Sequence, residues 1–158
     1  MIDRSARDEA AQVLRNFING KITNLAFEAL CPTTGDPAIH AIWDTAWLFY
    51  DDFKTHRLDG GNGLSIEQRK ACVRWIVFLH NNQEYSWPHL TLPGIDPNLR
   101  VRKSVWSGLL GLDPLDLSSE EARKFLAAGH YAVWPFISVQ EYKRALRSPR
   151  LLSGRRAA

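Results

Sequence analysis

Two cysteines and no long apolar run are the shortages of this 158-residue sequence, and each excludes something. Cys31 and Cys72 show neither CxxC nor zinc-ligand spacing, which argues against a disulfide framework and against a cysteine-based metal site. Cys72 falls inside a helical segment, where it reads as a small core residue. No stretch approaches the roughly 18 apolar residues that a membrane helix requires, and the opening MIDRSARDEA has no apolar run of signal-peptide type. The expectation is a soluble, cytoplasmic protein that does not enter a membrane.

Catalytic signatures are equally scarce. The glycines of GGNG at 60–63 lack the preceding strand of a dinucleotide loop and the Gly-Lys-Ser/Thr of a phosphate loop, so they read as a flexible turn. There is no HExxH, no G-x-S-x-G and no Glu-x-x-His pair of the di-metal bundles. His80, His89 and His130 fall at the ends of elements, where imidazoles act as caps or surface groups. No metal and no cofactor is expected.

What the sequence does contain fits one folded domain. The balance of 45% hydrophobic and 23% charged residues is that of a globular chain, and this length buries roughly two-thirds of its unfolded surface. Six tryptophans supply large rigid packing surfaces. The net charge of +3 is uneven: residues 141–158 hold six Lys or Arg against one Glu, leaving −2 for the rest. Residues 148–158, SPRLLSGRRAA, read as a basic flexible tail after a domain spanning 1–147. Weak nucleic-acid binding through that tail and Arg100, Arg102 and Lys103 is the least favoured reading.

Helix starts are well marked. Ser-x-x-Asp/Glu/Gln patterns occur at Ser5 with Asp8, Ser65 with Gln68, Ser118 with Glu121 and Ser138 with Glu141, and Asp-Pro occurs at 36–37 and 96–97. The predicted helices cover residues 6–19, 24–30, 37–56, 66–82, 97–109, 119–128 and 139–147. The fourth, containing VRWIVFL, is apolar around most of its circumference and belongs at the centre, with the third packed on it through its tryptophans. HYAVWPFI at 130–137, β-branched and aromatic, reads as a short extended segment. The fold class is therefore mainly α, a compact domain of six or seven helices. FLHNNQEYSWP and FLAAGHYAVWP rhyme, each running from a helix end through a polar break to Tyr and Trp-Pro. Their unmatched flanks favour convergent use of these residues over duplication.

The stretch DTAWLFYDDFKTH at 44–56 holds three carboxylates and an imidazole. On a helix, Trp43, Ala46, Trp47, Phe49, Tyr50 and Phe53 share one side and Asp44, Asp51, Asp52 and Thr55 the other, so a solvated helix face accounts for the charges. Asp52 would then pair with His56, and Asp44 with His40. Leu48, apolar within the acidic face, marks a contact surface for a partner. The loop around Tyr85 and Trp87 adds an aromatic candidate.

Three segments, DPAIHAIWDTAWLFYDDFKTHRL, RWIVFLHNNQEYSWP and YAVWPF, resemble small uncharacterised bacterial proteins with a W-x-x-Y-D-D pattern followed by an aromatic helix ending in Tyr-x-Trp-Pro. The resemblance spans roughly residues 1–90, with a weaker echo at 131–136. It implies a helical bacterial cytoplasmic protein and carries over no activity or ligand. The favoured reading is a non-enzymatic module that binds another bacterial protein, an adaptor or immunity-type neutraliser, through Asp44, Leu48, Asp51, Asp52, His56, Tyr85 and Trp87. The alternative is a small enzyme or ligand-binding protein with a tryptophan-lined pocket and Asp44, Asp51 or His56 as its polar groups.

Overall fold

Three of the expected caps begin helices where the sequence places them. Thr23 Oγ1 accepts from the Ala26 amide, Asp36 Oδ1 accepts from the Ala38 amide, and Ser65 and Gln68 form a reciprocal capping box. The structure is a computed structural model that describes residues 1–49, 53–94, 96–98 and 119–147. Among these residues the regular structure is six α-helices and three 3₁₀ turns. The helices are α1 (Arg4–Ile18), α2 (Asn24–Ala29), α3 (Pro37–Ala46), α4 (Ile66–Leu79), α5 (Ser119–Ala128) and α6 (Val139–Arg147). The expected helix over 97–109 from residue 99 on, the tail at 148–158 and the Ser118 cap lie outside the described residues.

Helix α4 is the centre of the molecule. It packs against α1, α3 and α6, and Trp75, Ile76, Val77, Phe78 and Leu79 are all buried. Five consecutive buried residues span more than a full turn, so α4 has core on every side at its C-terminal end. Helix α1 contributes Ala10, Leu14, Phe17 and Ile18 to the same core, and Phe17, Phe27 and Trp43 stack in series with centroids 4.3 and 4.4 Å apart. Trp43 thus also reaches α2. Free Cys72 is wholly buried in this core, and burial pushes its thiol up to about 12.

Three expectations need correction. The first helix starts at Arg4, not residue 6, because Asp3 rather than Ser5 accepts from the Ala6 amide. The third helix does not reach residue 56: α3 ends at Ala46 and gives way to a 3₁₀ turn, Trp47–Phe49. The cause is tertiary. Asn24, fully buried, donates from Nδ2 to the Lys54 carbonyl at 3.1 Å and accepts from the His56 amide at 2.9 Å. Its own amide donates to the His56 carbonyl at 3.0 Å. These bonds commit the 54–56 backbone to α2, so it cannot bond to its own preceding turn. Thr45 Oγ1, donating back to the Ala41 carbonyl at 2.8 Å, is of the kind that bends a helix near its end.

The third correction concerns residues 130–137, which are not extended. They form a 3₁₀ turn, Tyr131–Val133, and successive tight bonds, Val133 N to His130 O, Trp134 N to Tyr131 O and Phe136 N to Val133 O. A bond from His130 N to Ile137 O closes the segment. Residues 133–136 are buried, so the β-branched and aromatic run reflects packing and not strand geometry. The two rhyming segments meet here. Trp87 Nε1 donates to the Pro135 carbonyl at 2.9 Å, and Trp134 Nε1 donates to Tyr85 Oη at 3.2 Å.

Candidate functional site

The seven candidate residues separate into a buried and an open group. Trp87 is 5% exposed, stacked near Phe125 with centroids 4.6 Å apart. Tyr85 is half-buried, and burial raises its phenol well above the usual range. Of the loop's two rings, Trp87 therefore packs inward and Tyr85 partly so. Asp51 and Asp52 lie outside the described residues, and with them the pairing of Asp52 with His56.

Asp44 and Leu48 are exposed. Asp44 occupies the solvent side of α3, as the amphipathic pattern requires, but His40 turns away from it and donates from Nε2 to the Thr34 carbonyl at 2.8 Å. Past the end of α3 the chain exposes Trp47 at 40% and Phe53 at 95%, which a continuous helix would have placed inward, beside Leu48 at 44%. Leu25 and Leu30, on and just past α2, are also exposed. Asn24 ties the start of α2 to residues 54–56, which makes α2 and this stretch neighbours.

His56 lies at the edge of that surface. Its Nδ1 faces the Lys54 carbonyl and its Nε2 the Phe49 carbonyl, both at 3.1 Å. Carbonyls only accept, so the ring donates to both only when it carries two protons. The imidazole thus bridges residues 49 and 54. Beside it a cavity of about 310 Å³ is lined by Leu48, Phe49, Lys54, His56, Leu58 and Leu64, with the glycine loop and Gln68 closing the far side. None of its described lining residues is a tryptophan.

A second polar cluster escapes a reading based on local motifs. Arg7 and Asp36 are both about 1% exposed. Arg7 Nε donates to Asp36 Oδ2 at 2.6 Å and Nη2 to Oδ1 at 3.0 Å, while Nη1 donates to the Gln83 carbonyl at 2.7 Å. Burial by itself would raise the Asp36 carboxyl. Hydrogen bonds from Arg7 and the Asp3 and Ala38 amides hold it below the usual carboxylate value instead. Arg4 donates to the carbonyls of Leu79 and Asn81, placing a second cation at the C-terminal end of α4, where the helix dipole favours it.

Beside them, buried His80 accepts from Arg15 Nη2 at its Nε2, 3.3 Å away. Because arginine only donates, that nitrogen carries the lone pair and the ring is neutral. Its Nδ1 lies 3.4 Å from Asp8 Oδ1 but without hydrogen-bond geometry. Burial, with Arg15 and Arg4 nearby, lowers the imidazole below its ordinary value against the opposing pull of Asp8. The sequence signal for this cluster was an arginine on the apolar stripe of α1, at helical spacing from Leu14 and Ile18.

Among the described residues no three His, Cys, Asp or Glu side chains gather as metal ligands, and no helix is long and apolar enough to cross a membrane. Comparison with protein families, curated proteins and solved structures returns no match.

Proposed function

We propose that the protein is a non-enzymatic binding module that engages another bacterial protein in the cytoplasm, through the surface carrying Asp44, Trp47, Leu48 and Phe53. The observation that supports this is the clustering of exposed apolar groups. Of the nine large hydrophobic residues most exposed among the described ones, five (Leu25, Leu30, Trp47, Leu48 and Phe53) belong to α2 and the stretch after α3. Exposed apolar groups collected in one region mark contact surfaces, whereas scattered ones do not. Exposed Asp44 and Glu28 give the region a negative rim, so the complementary partner is an apolar segment flanked by Lys or Arg.

The test is capture of a partner by wild type, Asp44→Lys and Glu120→Lys, the last altering a remote charge, with a photo-crosslinking residue at position 48. Loss of capture in Asp44→Lys alone, with crosslinks to a basic apolar segment, supports the proposal. Equal capture by all three, or crosslinks to an acidic or wholly polar segment, overturns it.

A further inference from the structure

The cavity beside His56 differs in character from the acidic surface it adjoins. Its walls are Leu48, Phe49, Leu58 and Leu64, and its ionisable described lining residues are Lys54 and His56, both basic. Leu58 is buried and Phe49 half-buried, so one side is a firm apolar wall. The other side is backbone. Gly60–Asn62 form a 3₁₀ turn with Gly63 after it, and a Cβ added at Gly61 would meet nothing within 4 Å, so the loop carries no bulk there.

Gln68 completes the lining and has a fixed orientation. Its Oε1 accepts from the Ser65 amide at 2.8 Å, so its NH₂ is the end that remains to donate. Lys54 contributes an exposed ammonium on a flexible stem. The His56 ring, held between two carbonyls, fixes the edge of the cavity. The polar side chains of the described lining are thus Lys54, His56, Asn62 and Gln68, with Lys54 the fixed positive charge and no carboxylate among them.

We infer that this cavity is a binding site for a small organic anion, a carboxylate or phosphate group on a compact apolar body. The anionic group lies toward Lys54 and the Gln68 amide, and the apolar body against Phe49, Leu58 and Leu64. A volume of about 310 Å³ sits at the lower end of small-ligand pockets, which limits the body to about one ring. The negative partner is chosen by the same electrostatics that exclude a cation from the site. This site goes beyond the protein-binding surface and shares Leu48 with it; its occupant is a small molecule rather than a chain.

The experiment is amide-resolved NMR titration of the full chain with phenylacetate, phenyl phosphate and uncharged phenylacetamide. The expected result is shifts confined to Leu48, Phe49, residues 54–68 and the Gln68 side-chain amide, with at least one anion binding about tenfold more tightly than phenylacetamide. That difference corresponds to about 1.4 kcal/mol. Preference for phenyl phosphate or for phenylacetate identifies the headgroup. Lys54→Met, whose spectrum reports whether the fold is intact, is expected to erase the preference for anions while leaving weak apolar binding. Equal binding of the amide and the acids, shifts elsewhere, or an unchanged preference in Lys54→Met overturns the assignment. Partner capture is read on Asp44→Lys, so failure of one proposal leaves the other standing.

Discussion

Two polar regions at different edges of α4 use their charges in opposite ways. At its C-terminal end Arg4, Arg7, Asp36, Asp8, His80 and Arg15 are drawn together, and Arg7 and Asp36 are almost completely desolvated. At its N-terminal end Lys54 and His56 stand beside an open cavity, next to exposed Leu48 and Trp47. The first region spends its polar groups on one another and on helix-end carbonyls. The second leaves an ammonium, an amide and apolar surface facing outward. Charge alone does not mark a functional site; the contrast lies in whether the charges are consumed by the fold.

Removing a charge should therefore unfold one region and merely change the chemistry of the other. The largest effect is expected at Arg7. Arg7→Met strands the buried Asp36 carboxylate and should cost about 3–5 kcal/mol in urea unfolding. Arg7→Met/Asp36→Asn should recover part of that loss, since a neutral amide keeps the cap on α3 without needing a counter-charge. A cost no larger than that of an ordinary surface substitution would dissolve the contrast.

A smaller effect is expected where backbone packs closely. A Cβ at Gly129 would lie 2.7 Å from the Ile137 carbonyl and 3.1 Å from Trp87, so Gly129→Ala should cost about 1–3 kcal/mol by shifting the 130–137 segment. Gly61→Ala, with open space at its Cβ, should leave the melting temperature close to wild type.

Next comes a pH dependence specific to the closed end. The folded state lowers the His80 pKa, so the unfolded chain binds the extra proton first. Stability from this residue is complete above its ordinary value of 6.5 and declines as pH falls through that value toward the lower folded one. His80→Gln should flatten this part of the stability profile. Asp36 adds a separate loss in more acidic solution, below its ordinary 3.8. The smallest effect on stability is expected at the open side: Asp44→Lys and Lys54→Met should each stay within about 0.5 kcal/mol of wild type, while binding changes.

Much of the helical frame was legible because caps act over three or four residues. Thr23, Asp36, Ser65 and the Gly20 stop, with its φ of 65°, are local instructions that local reading recovers. The central place of α4 was legible from its apolar circumference. The end of α3 was not, because it is decided by Asn24 holding Lys54 and His56, some thirty residues further along the chain. The 130–137 segment misled for a related reason: strand propensity and burial favour the same residue types. Of the candidate site, Asp44 and Leu48 could be placed outside from periodicity alone. The inward packing of Trp87 depends on the Pro135 carbonyl, and the cavity depends on the meeting of Leu48, Phe49 and residues 54–58 with 61–68. Neither leaves a trace in local spacing.

The uneven burial of the indoles also makes the molecule a sensor of its own surface. Trp43, Trp75, Trp87 and Trp134 are 5% exposed or less, whereas Trp47 is 40% exposed. In a Trp106→Phe background, a dissolved quencher such as acrylamide will find Trp47 far sooner than the four shielded rings. The quenchable fraction of the emission then reads out, without any attached dye, whether the face around Leu48 is open to solvent or covered.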